Sequence, residues 1–243
     1  ELMKKKLLIL FGGASSEHEV SCLSAASVLR HLDENKYEIY KVGITKEGNW
    51  VLTDSPVSDI EEGRWTENPG NRRASLSPDT FVRGMILYGD NGVCEMRNVD
   101  VVFPVLHGKY GEDGTVQGLL ELAGIPFVGA GTTSSAACMD KAITKHIIES
   151  TYVKQADYYL TDRFSFASDP QGILKEIEEH FQGSYPLFVK PANAGSSVGI
   201  SKAKNGLELF NAIRVAAEED HKVLIEKAIS GREIEVAVLG NRH

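Results

Sequence analysis

The chain has 243 residues, 34 acidic against 26 basic side chains, a net charge of −8 and 42% hydrophobic residues. That length is above the usual size of one domain and short for two, so one compact unit with a smaller or incomplete second is expected. The acidic balance argues against a sequence-independent nucleic-acid binder, which needs clustered Lys and Arg, and no run approaches the roughly 18 apolar residues of a membrane helix.

The start, Lys4 to Lys6 followed by residues 7–11, imitates a secretory signal, but the apolar run ends at Gly12. It is too short for a signal core and reads as a first buried strand. The pattern then predicts a helix over "SCLSAASVLRHL", a strand over "YEIYKVGIT", a polar surface loop or insertion from Asp54 to Pro78, and a strand over "VDVVFPVLHG". A helix over "TVQGLLELAG" and a strand over "IPFVG" follow. Strand-helix alternation of this kind implies a doubly wound parallel sheet covered on both faces.

After Gly131 the texture becomes α+β. One helix is expected over "TSSAACMDKAITKHIIES", an extended run over "ADYYLT", a helix over "PQGILKEIEEHF", strands over "YPLFVKPA" and "GISKA", and a helix over "GLELFNAIRVAAEE". "KVLIEKAISGREIEVAVLG" reads as two strands joined at Ser230-Gly231. Cys22, Cys94 and Cys138 are odd in number and lack metal spacing, which suits reduced thiols in a cytoplasm.

The stretch "KPANAGSSVGISK" carries the first chemical signal. Glycine lets main-chain N–H groups approach a phosphate, the hydroxyls of Ser196 and Ser197 add donors, and Lys190 supplies a cation. Neither the P-loop spacing nor G-x-G-x-x-G is present, so the loop reads as a phosphate cover between two strands, with a plain Gly-Ser hairpin as the alternative. "GGASSEHEVS" lies at the carboxyl end of the first strand, where doubly wound sheets place ligands. Ser16 and Glu19 there match a capping box, which leaves Glu17 and His18 unexplained. "HGKYGEDG" sits at another strand's carboxyl end, with Glu112 and Asp113 suited to a helix start. Glu226, Lys227 and Glu233 surround the later turn, where a carboxylate can accept from ribose hydroxyls or an exocyclic amine.

Together "GGASSEHEVS", "VFPVLHGKYGEDGTVQGLLELAGIPFVG", "MDK", "LFVKPANAGSSVGISK" and "VLIEKAISGREIEVAVLG" resemble the ordered motifs of the D-alanine–D-alanine ligases, members of the ATP-grasp fold. The resemblance covers nearly the whole chain. It implies an amino-terminal α/β substrate domain over 1–129, a central ATP-grasp domain over 130–226 and the start of a carboxyl-terminal domain over 227–243. It further implies a cytoplasmic enzyme of peptidoglycan synthesis that takes D-alanine and ATP as small-molecule partners, and a homodimer. Neither nucleic acid nor membrane is expected among its partners.

The implied reaction moves the γ-phosphoryl of ATP to the first D-alanine, and the amine of the second attacks the acyl phosphate. Carried over position by position, Glu17 resembles the acid that holds the first substrate's ammonium, with Val20 lining its methyl pocket and His107 nearby. Ser196 resembles the serine between the two substrates, and Glu17 and Ser196 are the implied catalytic pair. Ser197 resembles its phosphate-contacting neighbour, Lys141 and Lys190 the lysines on the phosphates, Glu226, Lys227 and Ile229 the adenine contacts, and Glu233 the ribose contact. Two Mg²⁺ ions, or Mn²⁺, are implied; their ligands, with the family's mobile loop and arginine, are expected beyond residue 243, so no metal ligand is expected in this chain and it is expected to be inactive alone. Beside this reading stand a D-alanine–D-serine or D-alanine–D-lactate ligase, a non-catalytic nucleotide-binding module, and, more weakly, a dinucleotide oxidoreductase.

Overall fold

The computed structural model describes residues 4–89, 92, 94–195 and 197–240. They divide into two compact units, Glu1–Thr151 with Ala192–Val198, and Tyr152–Pro191 with Gly199–His243.

The first unit is built on β1 (Lys5–Gly12), whose run "LLILF" is buried throughout. It lies between two parallel neighbours, β2 (Tyr37–Ile44) and β7 (Val101–Pro104). Because strand side chains alternate in direction, Leu8 and Leu10 face one core with Val116 and Leu120 of α3 (Thr115–Leu122). Leu7, Ile9 and Phe11 face the other core with α1 (His18–His31). Cys22, Ala25, Ala26 and Leu29 of α1 are buried at helical spacing. A strand buried on both faces reads as a continuous apolar run, which is why β1 was legible.

Beyond β2 the sheet continues as an antiparallel meander. Among the described residues its order is β6-β5-β4-β3-β2-β1-β7, with β3 (Trp50–Thr53), β4 (Arg72–Leu76), β5 (Gly84–Tyr88) and β6 (Cys94–Asn98). The sheet is therefore α/β with its parallel part confined to β2-β1-β7. The expected loop over 54–78 is corrected: it holds helix α2 (Val57–Glu61), a 3-10 turn at Arg64–Glu67 and β4. Ile60 and Trp65 are fully buried, Trp65 edge-on to Phe11 at 5.0 Å. Polar composition hid a segment anchored by two large apolar side chains.

Three further expectations in this unit are corrected. Residues 125–129 form a single parallel bridge, Val102 to Phe127, not a strand, since Pro126 has no N–H to extend a ladder. The single helix after Gly131 is two, α4 (Thr132–Met139) and α5 (Lys141–Glu149), broken where the Asp140 side chain accepts from the N–H groups of Ala142 and Ile143. The capping box at Ser16 and Glu19 does not form: α1 starts at His18 with Glu17 as N-cap, and Glu19 pairs with Lys46 instead.

The second unit is an antiparallel sheet of order β10-β9-β11-β8, from β8 (Tyr158–Asp162), β9 (Leu187–Pro191), β10 (Ser201–Ala203) and β11 (Lys222–Lys227). Leu187, Val189, Val223 and Ile225 pack against α7 (Pro170–His180) and α8 (Gly206–Glu219), while short α6 (Arg163–Ser168) follows β8. Each of these helices is announced by a capping Asp162, Asp169 or Asn205, as the local sequence dictates. The expected strand after Gly231 is corrected: residues 231–240 carry no ladder among the described residues, and Ile234, Val236 and Val238 are exposed. β11 is flanked by β9 and β8, so a hairpin partner has no open edge of that strand to join.

Candidate functional site

The turn from β1 into α1 is locked by side chains of α1. Ser21 is fully buried; its Oγ accepts from Gly12 N at 2.8 Å and donates to Val105 O, tying the ends of β1 and β7 together. His18, also buried, donates from Nδ1 to Gly13 O at 2.9 Å. Ser15 Oγ accepts from Glu17 N at 3.2 Å and donates to His107 O at 3.1 Å. The segment that carries Glu17 is thus joined to the one that carries His107. Sequence reasoning missed Ser21 and left His18 without a role; a hydroxyl on an otherwise apolar helix face was the available signal for Ser21.

Glu17 itself is 6% exposed. Two backbones close over its carboxylate, and neither leaves room for a side chain. A Cβ on Gly108 would lie 2.1 Å from Glu17 Oε2, and one on Gly195 2.5 Å. His107 Nε2 is hydrogen-bonded to Ser24 Oγ at 3.0 Å. Glu112 and Asp113 brace the loop after β7, accepting from Gly108 N at 2.7 Å and Tyr110 N at 2.8 Å. Val20 is 44% exposed and lies off the wall of the neighbouring apolar cavity. That cavity, about 310 Å³, is bounded by Ile44, Trp50, Leu106, Val116 and Leu119, with His107 at its wall.

The loop after β9 belongs to the first unit over Ala192–Val198. Val198 N donates to Gly195 O at 3.1 Å, closing a turn in which Ser197 takes a left-handed conformation, φ 61°. Ser196 lies outside the described residues. Lys141 reaches this loop: its Nζ donates to Ala194 O at 2.6 Å and Ala192 O at 3.4 Å, and its backbone N to Ala192 O at 3.0 Å. Lys141 and the loop are therefore one assembly, and Glu17 meets that loop at Gly195.

In the second unit, taken by itself, Lys190 of β9 and Glu226 of β11 form an ion pair on the sheet face opposite the helices, with Glu226 8% exposed. Register pairs Lys190 with Leu224, so Glu226 is its diagonal neighbour. Lys190 Nζ also lies 5.8 Å from the Phe188 ring centroid. Lys227 ends β11, its N–H donating to Asp157 O at 2.9 Å. Ile229 is 71% exposed and Glu233 is exposed, so the structure does not draw these two into the Lys190–Glu226 pair.

Among the described residues no three His, Cys, Asp or Glu side chains are grouped as a metal site would require. No helix among them is long and apolar enough to cross a membrane.

Comparison with known proteins gives these features a context. The family model for the D-ala D-ala ligase N-terminus matches residues 6–130, and that for the D-ala D-ala ligase C-terminus matches residues 147–243. A D-alanine–D-alanine ligase of Acetivibrio thermocellus is 48% identical over 98% of this chain and 65% of its own length. One from Thermoanaerobacter pseudethanolicus is 50% identical over 99% of this chain and 65% of its own. The chain thus spans about 65% of the length of these curated relatives. Among solved structures, the VanG D-Ala:D-Ser ligase of Enterococcus faecalis superposes with a TM-score of 0.84 at 39% identity, covering 94% of this chain and 64% of that one. The D-alanine–D-alanine ligase of Coxiella burnetii does so with a TM-score of 0.80 at 30% identity, covering 94% and 65%.

Proposed function

The chain belongs to the D-alanine–D-alanine ligase family, and from that premise we propose that the protein joins two D-alanines at the expense of ATP for peptidoglycan synthesis. A carboxylate is a poor electrophile, so the first D-alanine's carboxylate oxygen attacks the γ-phosphorus and ADP leaves. The amine of the second D-alanine then attacks the acyl carbon, phosphate departs with the C–O bond electrons, and an amide remains. Phosphoryl transfer leaves little covalent work to the protein, so positioning and cations supply most of the acceleration.

The observation that carries the reading is the buried Glu17 carboxylate, walled by Gly108 and Gly195 at the carboxyl end of β1. A carboxylate held there suits a substrate ammonium by a charge-assisted hydrogen bond. His107 borders the same substrate, Val20 its methyl, and Ser196 stands between the two amino acids. Lys141 and Ser197 face the phosphates from the loop side, and Lys190 exchanges Glu226 for a phosphate. Glu226, Lys227 and the backbone of Ile229 take the adenine, and Glu233 the ribose. The chemistry calls for divalent ions, Mg²⁺ or Mn²⁺, which would neutralise charge on the phosphates. The reading places the enzyme in the cytoplasm as a homodimer, which its mass in solution checks.

The test is ADP release by the full-length protein with magnesium present. D-Alanine is expected to drive it and L-alanine is not; equal release with both overturns the reading. The likeness to VanG favours one second reading, with D-serine as the second substrate. With both amino acids at equal concentration, D-alanyl-D-alanine is the expected main product, and a predominance of D-alanyl-D-serine decides for the second reading.

A further inference from the structure

Asp140 sits at the break between α4 and α5 and is 5% exposed. Its two carboxylate oxygens face different ways. Oδ1 accepts from Ala142 N at 3.0 Å and Ile143 N at 3.1 Å, which caps α5. Oδ2 accepts from Asn193 Nδ2 at 3.2 Å, which reaches into the loop after β9. The neighbouring Lys141 holds the same loop at Ala192 O and Ala194 O. Two consecutive residues of one helix start therefore grip three consecutive residues of the glycine-rich loop, immediately before Gly195.

The geometry points to Asp140 as a positioning residue: it transmits the fixed N-terminus of α5 to the loop, setting the conformation in which Gly195, Ser197 and Val198 meet a nucleotide's phosphates. A capping residue needs only one oxygen, and Asn or Ser serves about as well as Asp. Here the second oxygen is committed to a side chain distant in sequence, so the carboxylate does more than end a helix. Lys141 acts with it, since its Nζ pulls the carbonyls of Ala192 and Ala194 toward α5. This rests on the reading that the loop contacts a nucleotide, and the experiment separates the two.

Asn193→Asp sets a second carboxylate against Asp140 and breaks the tie by like-charge repulsion. The swap Asp140→Asn with Asn193→Asp restores it with the polarity reversed, because Asn also caps a helix and its amide donates to the new Asp. In the full-length protein without nucleotide, N193D is expected to speed amide hydrogen exchange of residues 192–198 about tenfold, the loss of one charged hydrogen bond. ADP in magnesium buffer should bind it about tenfold more weakly by calorimetry, and the swap should return both quantities to within about threefold of wild type. An Asp140 that only caps α5 would leave Asn193→Ala at wild-type exchange and ADP affinity. If N193D fails to fold, Asn193→Ala, which removes the donor without adding charge, carries the same expectation for both measurements. Unchanged exchange in the single variants, or a swap no better than N193D, overturns the assignment. A wild-type protein that shows the exchange pattern and binds no ADP upholds the tie and overturns the nucleotide reading.

Discussion

Glu17 is defined by what lies against it. Gly108 is left-handed at φ 69°, and a Cβ at either Gly108 or Gly195 would run into the Glu17 carboxylate, so a side chain at either position requires that carboxylate to move. A methyl group at 195 must displace the Glu17 carboxylate, the group proposed to receive the substrate's ammonium. Gly195→Ala is therefore expected to raise KM for the first D-alanine at least about tenfold, while the thermal midpoint moves by only about 2 °C. Glu17→Gln removes a charge-assisted contact of roughly 1.5–3 kcal/mol and should raise the same KM roughly 10- to 150-fold with ADP affinity unchanged. Steady-state kinetics with calorimetry check both. Loss of ADP affinity in Glu17→Gln with KM for D-alanine intact would reverse the division of roles.

At the scale of elements, the segment from Asp54 to Pro78 shows how composition misleads. Its Pro, Gly, Asn and Asp suggest a loop, yet Ile60 and Trp65 close one face of the first sheet beside α1 and Phe11. Trp65→Ala is expected to cost about 3–5 kcal/mol, read as a lower denaturant midpoint; a change below about 1 kcal/mol would mean the segment contributes no core. The break at Asp140 carries a local signal, since Asp followed by Lys-Ala-Ile is a helix start inside an otherwise helical run. The lack of a ladder over 231–240 among the described residues had no such signal, because strand pattern is local while an open edge belongs to the assembled sheet.

For the whole molecule the testable property is the alkaline limit of stability. Burial pushes the Cys22 thiol up to about 11. Burial, with hydrogen bonds to Glu38, Glu176 and Glu178, pushes Tyr40, Tyr159 and Tyr185 up to about 12. Their ordinary values are about 8.5 for Cys and about 10 for Tyr. Between the ordinary and the raised values the folded chain binds more protons than the unfolded one, so stability falls as pH rises. Tm is expected to decline from about pH 9 onward, and Cys22→Ala to move that onset to about pH 10, where the tyrosines begin. A Tm flat to pH 11 in both proteins would contradict this. On the acid side, Asp33, Glu61 and Glu95 are held below the usual carboxylate range by backbone and side-chain hydrogen bonds, chiefly Asn35 N–H to Asp33, Arg30 to Glu61 and Arg97 to Glu95. Their contribution is present at neutral pH and lost as pH falls through the lowered values; because they are exposed, it is small and salt-screened.

The chain's own order of residues determined β1, α1, the glycine-rich loop between β9 and β10, and the family motifs. Each of these is written in a short window, as a run, a helical spacing or a cluster of glycines. Only the tertiary structure decided that Glu17 is walled by Gly108 and Gly195, that Ser21 joins β1 to β7, and that Asp140 holds Asn193. Such contacts join residues far apart along the chain, and no local pattern encodes a distance between two loops until the sheet beneath them has fixed where both end.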